Sequence, residues 1–291
     1  MWHIQTASVT GRSHRRTGAP LQDRTCVRTE YDVTAAVLAD GAGSAACSQE
    51  GAEAVVQAIS RYLCENFDDL YQAKTPLELR RNILVQARAA VEKRAQALGV
   101  PVRELACTLL AAAMKEDRYL LVHLGDGVIA YRKAGAVKVA SHPWNGEFAN
   151  STVFVTSPNA LRHCRVFRGE QAELEGFCLM SDGCEAALYN KRKQRMAPLL
   201  EILFQQTQLL ESKTAGEILE AVMGGVISRC SQDDCSLILL TRKGSRFGRW
   251  EHMTPREKAA VLGVRTQNRS RRRKQVNRYA KAYGVVGQKT M

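Results

Sequence analysis

The stretch that decides the fold reads VTAAVLADGAGSAACSQEGAEAVV, residues 33–56. Its first part is an almost unbroken apolar run, which predicts a strand that is buried on both faces. The run ends abruptly at Asp40, glycines follow at 41 and 43, and a segment with helical spacing of apolar residues begins near residue 48. An ionised side chain at the end of a buried strand is costly unless something compensates its charge. The acid therefore needs a partner.

The same arrangement occurs at other predicted strand ends. Asp126 follows YLLVHLG, Asp182 follows GFCLMS, and in both cases a glycine comes next, as it does after Asp40. The fourth case is reversed, because Asp233 and Asp234 stand just before the final apolar run, CSLILL. If that last strand is antiparallel to the others, it begins at the edge where they end. Four carboxylates would then meet at one rim of a sheet.

Each acid also has a plainer interpretation. Asp126-Gly127 between two strands is typical of a β-hairpin, Asp182 could cap a helix, and Asp40 could begin a glycine turn. Together, however, the carboxylates would repel each other, and they stay ionised only if a cation joins them. Oxygen ligands without His or Cys favour Mg²⁺ or Mn²⁺ over Zn²⁺. Two such ions can bind a phosphate and activate water, so the pattern indicates hydrolysis of a phosphate ester.

The ordered motifs ADGAG, ACTLLAAAM, HLGDG, LMSDG and DDCSLILL resemble the protein phosphatase 2C family of metal-dependent serine/threonine phosphatases. SHRRTGAPLQD near the start and EFANSTVFVTS (147–157) are similar to its compact bacterial branch, and the resemblance covers roughly residues 5 to 241. It implies an α+β fold, a four-layer αββα sandwich of two antiparallel β-sheets flanked by helices. It also implies hydrolysis by a water that bridges two metal ions, without a phosphoenzyme.

The resemblance implies two Mn²⁺ or Mg²⁺ ions, with a weaker third in many members. Asp40 would bridge the two ions, and Asp182 and Asp233 would complete the first site. These three are the candidate catalytic residues. The metal ligands that the resemblance implies, including a carbonyl oxygen in the second site and an acid of the third, are Asp23, Asp40, Gly41, Asp126, Asp182 and Asp233.

One position departs from the family pattern. Members usually have a phosphate-binding arginine about five residues before the acid that matches Asp23, and Gly18 stands there in this chain. His14 and Arg16 are the candidate phosphate-binding residues, because a shift of this loop would bring a nearby cation forward. Thr108 is interpreted as a packing residue of a buried strand.

The order of the predicted elements is strands, two helices, more strands, two helices and a final strand, which is unlike a βαβ alternation. We expect a polar loop around residues 10–23, helices over 48–71, 76–98, 196–210 and 214–228, and a strand over 151–157. Residues 1–243 are predicted to form one phosphatase 2C-like catalytic domain. Residues 244–291 are predicted to form a basic C-terminal extension that is helical or partly disordered.

The charge of the chain lies in that extension. From Thr241 to Met291 there are 15 Lys and Arg against two Glu, which accounts for the whole net charge of +13 and leaves residues 1–240 balanced. The segment TPREKAAVLGV has the pattern of a short helix capped by Thr254. The clustered arginines with tyrosines suit nucleic acid, and an acidic protein partner or an anionic lipid surface is an open alternative.

The predicted function is a phosphoprotein phosphatase acting on phosphoserine and phosphothreonine and opposing a serine/threonine kinase. No apolar run approaches the ~20 residues of a membrane-spanning helix. Nine cysteines without a CxxC pair argue against a zinc site and for a reduced, cytoplasmic protein. Two alternatives stay open, a catalytically inactive binding protein with the phosphatase fold and a nucleic-acid-associated phosphoesterase, each acting through the basic extension.

Overall fold

The computed structural model describes residues 2–144, 152–170 and 174–242, together with positions 254, 255, 258, 259, 274, 275, 277 and 278. In this described part the strands are β1 (Trp2–Val9), β2 (Arg24–Glu30), β3 (Val33–Ala39), β4 (Leu109–Lys115), β5 (Arg118–Leu124), β6 (Val128–Lys133), β7 (Ala136–Ser141), β8 (Arg165–Glu170), β9 (Leu174–Met180), β10 (Tyr189–Asn190), β11 (Arg195–Met196) and β12 (Cys235–Arg242). The helices are α1 (Arg12–Thr17), α2 (Ser48–Glu65), α3 (Phe67–Tyr71), α4 (Pro76–Leu98), α5 (Ala160–His163), α6 (Glu185–Leu188), α7 (Pro198–Leu209) and α8 (Ser212–Val222).

The strands form two five-stranded sheets, with the orders β1-β12-β9-β6-β7 and β2-β3-β4-β5-β8, and a separate β10-β11 hairpin. Neighbouring strands in both sheets are antiparallel. Helices α2 and α4 cover the second sheet, and α7 and α8 cover the first. The α+β sandwich predicted from the sequence is confirmed.

The position of strand β3 between the helix layer and the other sheet explains why its sequence is apolar on both faces. Ala36 and Leu38 pack between the two sheets, in a cluster that includes Phe177 and Ile238 of the first sheet. The intervening Val37 packs in the cluster beneath α2 and α4. Since successive strand residues point to opposite faces, a strand in the middle of four layers needs an apolar residue at nearly every position.

Helix α4 begins and ends where its sequence predicts. The Thr75 hydroxyl accepts a hydrogen bond of 3.1 Å from the backbone N–H of Glu78, and Pro76 occupies the first helical position. At the other end Gly99 adopts a left-handed conformation with φ of 68°. A side-chain cap such as that of Thr75 stabilises a helix by about 1 kcal/mol.

Several predicted element boundaries differ from the structure. The expected loop near residues 10–23 contains helix α1, and the expected helix 48–71 breaks at Asn66, whose φ of −125° is not helical. The expected strand at 151–157 is absent from the described residues 152–157. This segment instead turns, with the Val155 N–H bonded to the carbonyl of Cys107 at 2.8 Å and the Val155 carbonyl accepting from Arg88 at 3.1 Å. Helix α8 continues into a π-helical turn, Met223–Ile227.

The hairpin interpretation of Asp126-Gly127 is wrong. Strand β5 pairs with β4 and β8 in the second sheet, whereas β6 pairs with β7 and β9 in the first. The chain therefore crosses between the sheets at Asp126. A hairpin would have kept both strands in one sheet, whereas the crossing carries the acid to the end of the sandwich.

The C-terminal segment is described at only a few positions. Positions 255, 258 and 259 are helical, in agreement with a helix that begins after Thr254, and Ala259 is 3% exposed. Positions 274, 275, 277 and 278 are helical and exposed. Residues 243–253 lie outside the described part, so the domain boundary near residue 243 stays a prediction. Among the described residues, no helix is both long and apolar enough to cross a membrane.

Candidate active site

Five aspartates lie at one end of the sandwich because of the sheet topology. Asp40, Asp126 and Asp182 directly follow, or lie within two residues of, the ends of β3, β5 and β9. Strand β12 is antiparallel to β9, which brings Asp233, just before β12, to the same end as Asp182. Strand β2 is antiparallel to β3 and pairs Arg24 with Ala39, which brings Asp23 beside Asp40.

The aspartates form one electrostatic cluster. Carboxylate oxygens of Asp40, Asp126 and Asp182 lie within 4.8 Å of one another. The pKa of Asp40 is raised well above its ordinary value, first by burial and then by the negative charges of Asp23, Asp182, Asp126 and Asp233. The charges of four other carboxylates therefore act on Asp40.

The pKa values of two other acids of the cluster are raised as well. Burial, reinforced by the charges of Asp126 and Asp233, raises the pKa of Asp182 to about 7. Burial also raises the pKa of Asp23 to about 6, although the Ser181 hydroxyl donates to Asp23 Oδ2 at 2.8 Å and opposes the shift. The Oδ1 atoms of Asp23 and Asp182 are buried and have no hydrogen-bond partner among the described residues.

These orphaned oxygens fit divalent cations. Carboxylates so close together repel, and a cation between them removes both the repulsion and the unmet bonding capacity. The ligand atoms are all oxygen, which suits Mg²⁺ or Mn²⁺. Gly41 adds to the fit, because a Cβ atom at this position would lie 2.8 Å from Ser48 Oγ and 2.9 Å from the Gln22 carbonyl oxygen. The backbone here is packed too closely for any side chain.

Thr108 holds the backbone of Asp40 from both sides. Its N–H donates to the Asp40 carbonyl at 2.8 Å, and its hydroxyl accepts from the Asp40 N–H at 2.9 Å. The residue lies just before β4 and is 3% exposed. The sequence interpretation of Thr108 as simple packing missed this role, since an apolar run with one threonine does not reveal where the hydroxyl is directed.

Asp234 is the second acid of the Asp233-Asp234 pair, and its role differs from that of its neighbour. Its carboxylate accepts from the backbone N–H groups of Gly11 and Gln22, each at 2.7 Å, and lies 3.0 Å from His14 Nδ1. It thereby fastens both ends of the segment 11–22 to the start of β12. Asp233 is exposed, whereas Asp234 is 2% exposed. The sequence signal for this second role was the doubled acid before the final apolar run.

A sequence model of protein phosphatase 2C matches residues 10–223, which is most of the chain. The chain belongs to the protein phosphatase 2C family. Serine/threonine-protein phosphatase 3 of Escherichia coli (strain K12) is 27% identical over 171 residues, which is 57% of this chain and 67% of that protein. Members of this family are metal-dependent serine/threonine phosphatases.

Solved structures of bacterial phosphatases share the fold. A bacterial serine phosphatase superimposes with a TM-score of 0.61 at 16% identity, over 84% of this chain and 100% of that chain. The serine/threonine phosphatase Stp1 from Staphylococcus aureus gives 0.58 at 15% identity, over 84% of this chain and 96% of that chain. At these identities the likeness supports the phosphatase 2C fold alone.

If Asp40 is a metal ligand, we expect Thr108→Val to lower kcat/KM by about 10- to 100-fold, the usual effect of losing a residue that orients such a ligand. Valine keeps the shape of threonine but leaves the Asp40 N–H without its acceptor. Thr108→Ser retains the hydroxyl and serves as the matched control, with activity within a few-fold of the parent protein. Equal activity in the valine and serine variants would show that the hydroxyl does not position Asp40.

Proposed function

We propose that this protein hydrolyses phosphoserine and phosphothreonine esters of proteins at the aspartate cluster formed by Asp23, Asp40, Asp126, Asp182 and Asp233. Membership of the protein phosphatase 2C family makes it a metal-dependent serine/threonine protein phosphatase. The observation that carries the assignment of the site is the convergence of the five carboxylates at one end of the sandwich. An inactive binding protein is not favoured, since it has no reason to keep mutually repelling, partly unsatisfied carboxylates.

The proposed ligands of the first two ions are Asp40 as the bridge, Asp182 and Asp233 on one side, and the Gly41 carbonyl with Asp23 on the other. Asp126 with Asp182 would hold a third ion. When bound, such ions neutralise the phosphate and lower the pKa of a water molecule at the site. Either Mn²⁺ or Mg²⁺ suits these oxygen ligands, and we propose one of the two as the resident ion.

The chain's own residues hold this arrangement rigid. Thr108 fixes the backbone of Asp40, and Ser181 fixes the Asp23 carboxylate while its own oxygen accepts from the Ser236 N–H at 2.9 Å. Both positioning residues are 3% exposed or less, so water competes little with their hydrogen bonds. A rigid, pre-arranged cluster costs no reorganisation when the substrate phosphate arrives.

His14 and Arg16 stay our proposed phosphate-binding residues. Both lie in α1, inside the segment that Asp234 fastens to the start of β12. His14 is directed toward Asp234, and its side chain is 16% exposed, whereas Arg16 is exposed at the end of the helix. A cation on this segment would replace the arginine that the family usually has where this chain has Gly18.

The partners are phosphorylated proteins, and we propose that the enzyme opposes a serine/threonine kinase. We further propose that the basic extension, with 15 Lys and Arg from Thr241 onward, binds nucleic acid or an acidic partner near the substrate. All nine cysteines are free thiols, which is usual in a reducing compartment, and supports our proposal of a cytoplasmic protein.

The test is hydrolysis of a phosphothreonine peptide by the full chain with Mn²⁺, with Mg²⁺ and with EDTA. We expect turnover with at least one ion and a loss of about 10³-fold or more in EDTA, because metal ions supply several kcal/mol of transition-state stabilisation. A phosphodiester substrate run in parallel addresses the nucleic-acid alternative. Turnover of the diester without turnover of the peptide would overturn the proposal.

A further inference from the structure

A strongly basic hairpin lies beside the aspartate cluster, and the proposed chemistry makes no use of it. The two short strands β10 and β11 pair Tyr189 with Met196 and are joined by a turn at residues 191–194. Within five positions the hairpin carries four cations, and no acid occurs between residues 186 and 200. We call residues 190–195 the basic hairpin. Its cations are Lys191, Arg192, Lys193 and Arg195.

The basic hairpin is held against the rim of the site. Helix α6 follows the turn that begins with Asp182, and Glu185 on this helix is 6% exposed. The Lys191 ammonium group lies 2.5 Å from Glu185 Oε2. The pKa of Lys191 is raised first by this hydrogen bond and further by the charges of Asp182 and Asp126. The lysine therefore lies close enough to these two aspartates to interact with their charges.

The base of the hairpin is also fixed. The Tyr189 hydroxyl lies 2.8 Å from His142 Nδ1, and the Ala197 N–H donates to the Leu188 carbonyl at 2.8 Å. Tyr189 is 7% exposed. Two anchors at the base and one at Lys191 keep the direction of the hairpin fixed relative to Asp182.

The other three cations of the hairpin are available to a partner. Arg192, Lys193 and Arg195 are exposed and form no ion pair with any residue that the structure describes. A row of unpaired cations at the rim of a phosphate-ester site raises the local concentration of anionic substrates.

We propose that the basic hairpin selects phosphoproteins in which acidic residues flank the phosphoserine or phosphothreonine. The inference rests on the proposed phosphatase function and adds the substrate class. An extended peptide advances about 3.3 Å per residue, so acids within a few positions of the phosphate reach the rim when the phosphate lies at the aspartates. Lys191 is committed to Glu185 and positions the hairpin, and the three unpaired cations contact the acids.

The experiment compares two phosphothreonine peptides that differ only in their flanks, one with Asp and Glu and one with Ser and Gln. The hairpin variant is Arg192→Gln/Lys193→Gln/Arg195→Gln in the full chain. A matched control, Arg61→Gln/Arg81→Gln/Lys93→Gln, removes the same charge from exposed positions of α2 and α4. Steady-state kcat/KM is measured with Mn²⁺ at low and high salt.

For the parent protein we expect a preference for the acidic peptide that fades as salt rises. The hairpin variant should lose about tenfold in kcat/KM on the acidic peptide and change less than twofold on the neutral one, because exposed ion pairs are individually weak and three act together. The control variant should match the parent on both peptides.

The possible failures are distinguishable. If the parent hydrolyses both peptides but the hairpin variant keeps the acidic preference, the inference is wrong and the proposed function stands. If the parent hydrolyses neither peptide, the proposed function fails and the inference fails with it. If the hairpin variant keeps its kinetics but loses affinity for a labelled single-stranded oligonucleotide, the hairpin contacts nucleic acid and the inference is again wrong.

Discussion

Asp40→Asn should lower kcat/KM for a phosphothreonine peptide by about 10³-fold or more, equivalent to at least about 4 kcal/mol of transition-state stabilisation. Asp40 is the acid on which the charges of four other aspartates act, and we propose that it bridges the ions. Asparagine has the same shape and keeps the two backbone hydrogen bonds to Thr108, so the local fold should survive. An amide, however, is neutral and offers one acceptor oxygen, whereas the carboxylate shares a negative charge between two oxygens that would hold the ions.

A second measurement separates loss of the site from loss of the fold. Without metal, Asp40→Asn removes one of the mutually repelling charges, and the melting temperature should equal or exceed that of the metal-free parent. With Mn²⁺ the parent should gain stability by binding, whereas the variant should gain much less. A lower melting temperature in the metal-free variant would indicate damage to the fold, and the activity loss would then say little about the bridge.

The matched control is Asp32→Asn, at the opposite end of the same strand. Asp32 is exposed in the turn between β2 and β3 and has a positive φ of 59°, a conformation that asparagine tolerates as well as aspartate. Its substitution should leave activity and the response to Mn²⁺ unchanged. Full activity of Asp40→Asn under conditions where this control is also active would exclude the bridging role.

The sequence predicted the layers of the fold because burial imposes a pattern on the chain. Val37 and Leu38 pack on opposite faces of β3, and only a strand between a helix layer and a second sheet needs both to be apolar. The sequence also predicted that the acids would meet at one edge if the last strand is antiparallel to the others, and the antiparallel pairing of β12 with β9 meets that condition. Patterns of this kind can be recognised from residues that are neighbours in the sequence.

Other parts of the site depend on residues that are distant in sequence. The dipeptide Asp126-Gly127 has the same local chemistry in a hairpin and in a crossing between sheets, and only the pairing of the flanking strands distinguishes them. Asp234 looks like a repeat of its neighbour until its hydrogen bonds to Gly11 and Gln22 are known. Partners more than 200 residues apart leave no periodic signal that a single sequence reveals.

The buried ion pair of Arg132 and Glu175 is another feature that the sequence hides, and breaking it should have the largest effect on stability. Both side chains are 2% exposed, and Arg132 Nη1 lies 3.0 Å from Glu175 Oε2. The same nitrogen donates to Gln208 at 3.0 Å, and Glu175 Oε1 accepts from the Gly135 N–H at 2.6 Å. The pair therefore joins β6, β9 and α7.

We expect Arg132→Met to destabilise the fold by about 3–5 kcal/mol, because Glu175 is left as an uncompensated buried charge. Each kcal/mol corresponds to roughly 2–4 °C in a domain of this size, so the melting temperature should fall by about 10 °C. Chemical denaturation measures the free energy directly. The surface ion pair of Arg103 and Glu104 provides the matched control, since Arg103 is 82% exposed and Arg103→Met should cost less than about 1 kcal/mol.

The double variant Arg132→Met/Glu175→Gln distinguishes a lost attraction from an orphaned charge. Glutamine keeps an oxygen for the Gly135 N–H but carries no charge, so the double variant should recover much of the stability lost by Arg132→Met alone. The coupling energy from the four proteins should then be about 1–3 kcal/mol. If the two substitutions are instead additive, Glu175 is not stabilised by Arg132, and the cost of Arg132→Met comes from lost packing of the arginine side chain between β6 and α7.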